Sequence, residues 1–203
     1  MPRSPLSSET TIMQLHHLLP LFLLASAASA QQQVTLQGKV EDASPSGFLV
    51  ACTDTRLESS AFNLNLFLGE NVQITGTRVQ TTGTPLVNVT GIQIVPEIFE
   101  IPGNPEVGQD IRFGATYTPG SQAIFFAALA PGFTPVRSMG TLLIDAPGRV
   151  RMGSAVIPPV GNVEITVPMP NDPSLVGLTV YAQTVLRTGS TFLLSNPDCK
   201  DIQ

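Results

Sequence analysis

Apolar and polar residues alternate along most of this chain, and no stretch sustains the 3.6-residue apolar period of an amphipathic helix. A period of two puts successive side chains on opposite faces of an extended strand. In VTLQGKVE, Val34, Leu36 and Val40 share one face, while Thr35, Gln37, Lys39 and Glu41 share the other. NVQITG repeats the pattern with Val72 and Ile74, and LVNVTGIQIV carries it from Leu86 to Val95. FLVAC, residues 48–52, is continuously apolar, which predicts a strand buried on both faces. Turn-forming clusters fence these runs: DASPSG at 42–47, LGEN at 68–71 and TTGTP at 81–85.

Four or five such strands predict a small closed barrel or a curled meander. The order of the runs (G-x-V, a second strand, V-x-I-x-G, a closing strand) resembles an oligonucleotide/oligosaccharide-binding (OB) barrel. TRLESSAFNLNLFLG leaves room for only a short element where such a barrel carries its helix.

PEIFEIPGNPEVG, residues 96–108, holds three prolines, two glycines and three glutamates, and reads as a linker or domain edge. A second β series follows. DIRFGATY sets Ile111, Phe113, Ala115 and Tyr117 inward, and AIFFAALA is apolar throughout, as a central strand would be. TLLID, RVRMGSAV, NVEITVPM, LTVYAQTVL and TFLLS come next, each bounded by Pro or Gly. About seven strands in about a hundred residues is the pattern of a β-sandwich. The fold class is therefore all-β: a small OB-like barrel or meander over 31–98, then an antiparallel sandwich over 99–203.

VPMPNDPSLVGLTVYAQ reads as a corner between two of these strands. Val163, Ile165 and Val167 point inward, and Pro168 and Pro170 end the pairing because proline has no N–H for a ladder. Asn171, Asp172 and Pro173 start a turn in which an Asx side chain bonds the backbone two residues on, and Leu175 tucks beneath. The residues P-N-D-P-x-L-x-G-x-x-x-Y-x-Q, with FFAALAPG, GTLLIDAPG and the terminal FLLSNPDCKDIQ, resemble a C-terminal β-sandwich module of secreted planctomycete- and myxobacterial-type proteins. The resemblance spans about 105–203. It implies secretion and a sandwich, and it carries over no catalytic residue.

The segment 1–30 reads as a signal peptide. From Met13, itself a candidate start, MQLHHLLPLFLLASAASA ends on Ala28-Ser29-Ala30, an A-x-A pattern that predicts cleavage before Gln31. The apolar run is shorter than the roughly 18 residues of a membrane span, and no later run could span, so export is expected. Loss of the leader removes one basic and one acidic residue, Arg3 and Glu9, and the net charge of −5 persists. An acidic chain with only two lysines, Lys39 and Lys200, argues against nucleic acid as a partner. Lys39, Arg56 and Arg78, with Phe48, Phe62 and Phe67, are the only groups of the barrel region suited to it.

The chemistry available is limited. Both histidines, His16 and His17, lie in the leader, which removes Ser-His-Asp and Cys-His nucleophiles and histidine metal sites from the mature chain. Glu97, Glu100, Glu106 and Asp110 gather around 96–110, and a carboxylate pair can hydrolyse glycosides. Tryptophan is absent, and the tyrosines are Tyr117 and Tyr181, so solvated charge is the preferred reading. Oxygen ligands for calcium are available at Asp198 and Asp201, or at Asn171 and Asp172, without any D-x-D-x-D loop. Asn88-Val89-Thr90 matches a glycosylation sequon and reads as incidental within a strand. No catalytic, cofactor-binding or metal residue is assigned.

The two cysteines could pair in an exported chain. Because Cys52 and Cys199 fall in different predicted domains, separate thiols are expected, with Cys52 a small core residue and Cys199 exposed. The expected function is that of a non-catalytic exported protein of the envelope or extracellular space, structural or binding, with polysaccharide as a candidate partner. The alternatives are a carboxylate-based carbohydrate-active enzyme and an oligonucleotide-binding OB protein.

Overall fold

The computed structural model describes residues 32–45, 47–79 and 83–203. The predicted leader, its cleavage point and both histidines lie outside these residues, as do the first two residues of the 81–85 turn. Five strands, β1 (Gln32–Asp42), β2 (Phe48–Val50), β3 (Arg56–Glu58), β4 (Asn71–Val79) and β5 (Leu86–Ile94), close into a barrel in the order β1-β2-β3-β5-β4. β4 pairs antiparallel with both β1 and β5, and β3 pairs parallel with β5. A single 3-10 turn, Leu64–Phe67, stands where an OB barrel has its helix. Closure selects the barrel over the meander.

The alternating residues fill the barrel: Val34, Leu36, Val40, Val72, Ile74 and Val87 are all buried in one cluster. Gly38 lies in the same inward row, and a Cβ there would collide with Val50 Cγ1, so a missing side chain lets β1 and β2 meet. FLVAC does not form the continuous strand expected of it. β2 stops at Val50, and Ala51 and Cys52 turn, Cys52 with φ of 60°. The Thr53 hydroxyl closes this turn, donating to Val50 O at 2.7 Å and accepting from Thr55 N–H at 2.9 Å. A turn whose backbone groups are bonded by its own side chain can be buried, which is why its sequence reads as strand.

The second half comprises β6 (Phe99–Glu100), β7 (Asp110–Thr116), β8 (Gln122–Ala128), β9 (Pro131–Val136), β10 (Gly140–Ile144), β11 (Val150–Val156), β12 (Asn162–Pro168), β13 (Thr179–Thr188), β14 (Thr191–Leu194) and β15 (Asp198–Asp201). One sheet runs β12-β7-β6 and the other β11-β8-β13-β14, with β15 also on β13. Phe99, Phe113 and Phe125 pack between them, with ring centroids 6.4 Å apart for Phe99–Phe113 and 6.3 Å for Phe99–Phe125. The apolar β8 is central, as its sequence predicts.

Three strands of this half were not anticipated. β9 contains Pro131 and Pro135, tolerated because it pairs on one side only, with β10. The β9–β10 hairpin lies between barrel and sandwich. Thr141 and Leu143 face the barrel, where Thr141 Oγ1 donates to Thr35 O at 2.8 Å and Leu143 joins the barrel core. Leu142 and Ile144 face the other way and pack with Ala128 and Leu194. Buried Gln183 fixes the hairpin to the sheet: its Oε1 accepts from Leu143 N–H at 2.8 Å, and its Nε2 donates to Ser195 O at 2.7 Å.

The other two, β6 and β15, correct the linker reading of 96–108. Ile98, Phe99 and Ile101 are buried in the sandwich core. Asn196 pins them, its Oδ1 accepting from Ile98 and Phe99 N–H at 2.9 and 3.1 Å and its Nδ2 donating to Phe99 O at 2.7 Å. Asp198 Oδ2 accepts from Ile101 N–H at 2.7 Å. The Pro, Gly and Glu content of this segment conceals an apolar triplet with dedicated partners near the C-terminus.

The expectation of separate thiols is overturned: Cys52 and Cys199 form a disulfide, with Cα atoms 5.5 Å apart. The pairing of β15 with β13 carries Cys199 past the 98–101 segment to the β2–β3 turn, a path the cysteine positions alone do not reveal. Residues 195–199 thus form a strap across both halves, and 31–203 is one compact unit. Among the described residues no helix is long and apolar enough to cross a membrane; this says nothing of a membrane β-barrel.

Candidate functional site

A cleft of about 1040 Å³ opens on the barrel wall where β3 and β5 run parallel. β3 has only three residues, Arg56, Leu57 and Glu58, with Leu57 buried and the flanking charges outward. On β5, Val87 and Val89 are likewise buried and Asn88 and Thr90 point out. The register sets Glu58 opposite Asn88, and Arg56 opposite Leu86.

After Glu58 the chain leaves the sheet, and Ser59 fixes its path. Ser59 Oγ accepts from Phe62 N–H at 3.0 Å and Ala61 N–H at 3.2 Å, and donates to Val89 O at 3.2 Å. Asn63 Oδ1 then accepts from Asn65 N–H at 3.2 Å and starts the 3-10 turn that buries Leu64. The result is a raised lip along the cleft. Phe48 and Phe62, each half-buried against the barrel core, also line the cleft.

The site's electrostatics are balanced, because the charged residues among its described lining are Arg56 and Glu58. The side chains of Arg56, Glu58, Ser60 and Asn88 are exposed and make no hydrogen bond or ion pair among the described residues. Thr90 Oγ1 donates to Thr75 O at 3.3 Å. The groove offers guanidinium, carboxylate, amide and hydroxyl groups on an apolar floor, aligned along two strands.

The residues weighed in the sequence are scattered. Lys39 pairs with Glu97 at 3.9 Å, and the Arg78 guanidinium lies 4.8 Å from the Phe133 ring centroid, so only Arg56 of the three cations reaches the groove. Phe67 packs on the barrel core and does not line it. Of the carboxylates near 96–110, Glu100 lines a crevice of about 140 Å³ that it shares with Glu164, itself paired to Arg112 at 3.7 Å. That space is below the roughly 300 Å³ of an ordinary ligand pocket. Glu106 and Asp110 are exposed and outside it.

At the corner, Asp172 Oδ1 accepts from Ser174 N–H at 2.9 Å, as an Asx turn requires, and this bond holds the Asp172 carboxyl below its ordinary value of 3.8. Gly177, with φ of 83°, then reverses the chain. Asp198 accepts from backbone N–H groups, and Asp201 Oδ1 accepts from Thr179 Oγ1 at 2.6 Å. The carboxylates weighed for calcium are thus engaged in folding the chain.

The groove residues Glu58, Ser60 and Asn88 were missed as a set. Each looks like the ordinary outward residue of a strand or turn, and only the parallel β3–β5 contact assembles them. Compared with known proteins, the chain matches no family model, no curated protein and no solved structure.

Proposed function

We propose that this chain is an exported, non-catalytic binding protein of the envelope or extracellular space, and that the barrel groove takes a neutral, hydroxyl-rich polysaccharide chain. The observation that carries this reading is the groove itself: a long cleft with unengaged amide, hydroxyl and opposed charged groups over an apolar floor. Sugar hydroxyls both donate and accept, so such a mixed lining suits them. OB barrels bind oligosaccharides and oligonucleotides on the wall around their second and third strands, and Phe48 of β2 and Arg56 and Glu58 of β3 line this groove beside β5. A nucleic acid would need a cationic groove with stacking faces, and here Arg56 is offset by Glu58. The disulfide fits an oxidising compartment, in keeping with export.

The test is equilibrium binding of the chain from Gln31 onward to a panel of neutral and acidic polysaccharides and to single-stranded DNA. Saturable binding to a neutral polymer, weakened about tenfold or more by Arg56→Ala or Asn88→Ala, supports the reading. Binding to DNA alone, or to no polymer, defeats it.

A further inference from the structure

The outer face of the β11-β8-β13-β14 sheet differs chemically from the rest of the chain. Residues 122–156 and 179–194 supply this face and the hairpin beside it, and their single acidic residue is Asp145, whose Oδ2 accepts from Gly148 N–H at 2.8 Å. They also contain Arg137, Arg149, Arg151 and Arg187, in a chain with 15 acidic residues and a net charge of −5. Charge is segregated here, and the positive end is built around apolar surface.

Ile124, Phe126, Val185, Phe192 and Leu194 form the floor of a trough of about 310 Å³, and Val136, Met139 and Leu142 of the hairpin form one wall. Strand register fixes the layout. Arg151 lies opposite Phe126, Val185 lies opposite both Ile124 and Leu194, and Arg187 lies opposite Phe192. The Arg149 guanidinium stands 6.0 Å from the Phe126 ring centroid and that of Arg187 5.7 Å from Phe192. Phe126 therefore has the Arg149 guanidinium near its ring and Arg151 as its register neighbour on β11, at one end of an apolar strip that continues to Phe192.

These arginines are held in place without being neutralised. Arg149 Nη1 donates to Ala146 O, Arg151 Nη2 to Ser154 Oγ at 2.8 Å, and Arg187 Nε to Gly189 O at 3.1 Å. Each guanidinium has five N–H donors, so most remain unused. None of the three is in an ion pair among the described residues; the pairs there join Lys39 to Glu97 and Arg112 to Glu164. Arranged guanidinium donors match phosphate oxygens in geometry as well as charge.

We propose that this trough binds an anionic lipid, its alkyl chain lying along Ile124, Val185 and Phe192 and its phosphate head held by Arg149 and Arg151. A purely apolar partner would leave the arginines without a role, and a free anion would leave the exposed Phe192 without one. The apolar mouth between the two sheets, lined by Leu129, Met152, Met169 and Leu175, has no charged residue among its described lining and serves as the internal comparison. This site is separate from the barrel groove, and its test stands apart from the polysaccharide reading.

Isothermal titration with dodecyl phosphate below its micellar concentration tests it, against dodecyl maltoside and inorganic phosphate. One saturable site for dodecyl phosphate is expected, at least tenfold tighter than for either comparison ligand and weakened by added salt. Arg149→Gln and Arg151→Gln should each cost tenfold or more, Arg187→Gln less, and Leu129→Ser at the sheet mouth nothing. These are exposed positions, and an unchanged melting midpoint confirms that each variant is folded. Equal affinity for the maltoside, binding of inorganic phosphate as tight as that of the lipid, or loss on Leu129→Ser without loss in the arginine variants overturns the proposal.

Discussion

The barrel and the sandwich face one problem, an apolar strand face that must be covered, and solve it differently. The barrel closes on itself, so its inward rows fill one core and its outward positions are free to be polar; the groove of Arg56, Glu58, Ser60 and Asn88 occupies that freedom. The sandwich borrows cover from elsewhere. The 98–101 segment enters its core, and the β9–β10 hairpin roofs part of its outer face, held by the buried amides of Asn196 and Gln183. What the hairpin leaves uncovered is apolar and edged with arginine. A closed sheet keeps its apolar rows inside and its outer surface polar, whereas an open pair of sheets leaves apolar remnants outside.

The two halves are different surfaces on one body, and the Cys52–Cys199 disulfide is a covalent cross-link between them. Closing a loop of 147 residues stabilises the fold by about 5 kcal/mol in the chain-entropy model. Cys52→Ser with Cys199→Ser should lower the urea unfolding free energy by an amount of that order. A loss under about 1 kcal/mol would mean that Asn196 and the hairpin join the halves unaided.

Next in size are core truncations. Phe113→Ala in the sandwich should cost about 3–5 kcal/mol and Ile74→Ala in the barrel about 2–5 kcal/mol. With one cooperative body, both shift a single transition, followed by circular dichroism and by calorimetry alike. Two resolved transitions would divide what the strap is argued to unite.

Gln183→Leu keeps the volume and removes the clamp, leaving Leu143 N–H and Ser195 C=O without their side-chain partner, at about 1–3 kcal/mol. Amide exchange in the 141–144 stretch should accelerate more than in β4 of the barrel. Equal acceleration in both would place the hairpin with the barrel alone.

The smallest effect belongs to the exposed corner. Because the folded pKa of Asp172 lies below its ordinary 3.8, the stability it contributes is present above that value and is lost as pH falls through the folded value. The small stability difference between wild type and Asp172→Asn should therefore shrink on acidification below about pH 4. A difference that grows on acidification would contradict the Ser174 contact as its cause.

Much of this architecture was legible. Three alternating runs and the apolar run at 48–52 located four of the five barrel strands, and the P-N-D-P corner was readable as turn chemistry down to the Asp172 bond. What escaped depends on distant pairing. β3 is three residues, RLE, too short for a periodic signal, so its parallel contact with β5 and the groove between them could not be foreseen. Prolines hid β9, and the charges of DCKD hid β15, with the route that brings Cys199 to Cys52. The charge segregation on the sandwich was present in the sequence all along, but only register shows that the arginines border one apolar strip.

The claim at the centre is that ligand binds, unaltered, in the β3–β5 groove. Hydrogen exchange on the intact protein, with and without a saturating neutral polysaccharide, tests it together with sizing of the recovered polymer. The account predicts slowed exchange confined to 56–64 and 86–90, and polymer of unchanged length. Protection centred elsewhere, or shortened chains that persist in Glu58→Gln, would contradict it.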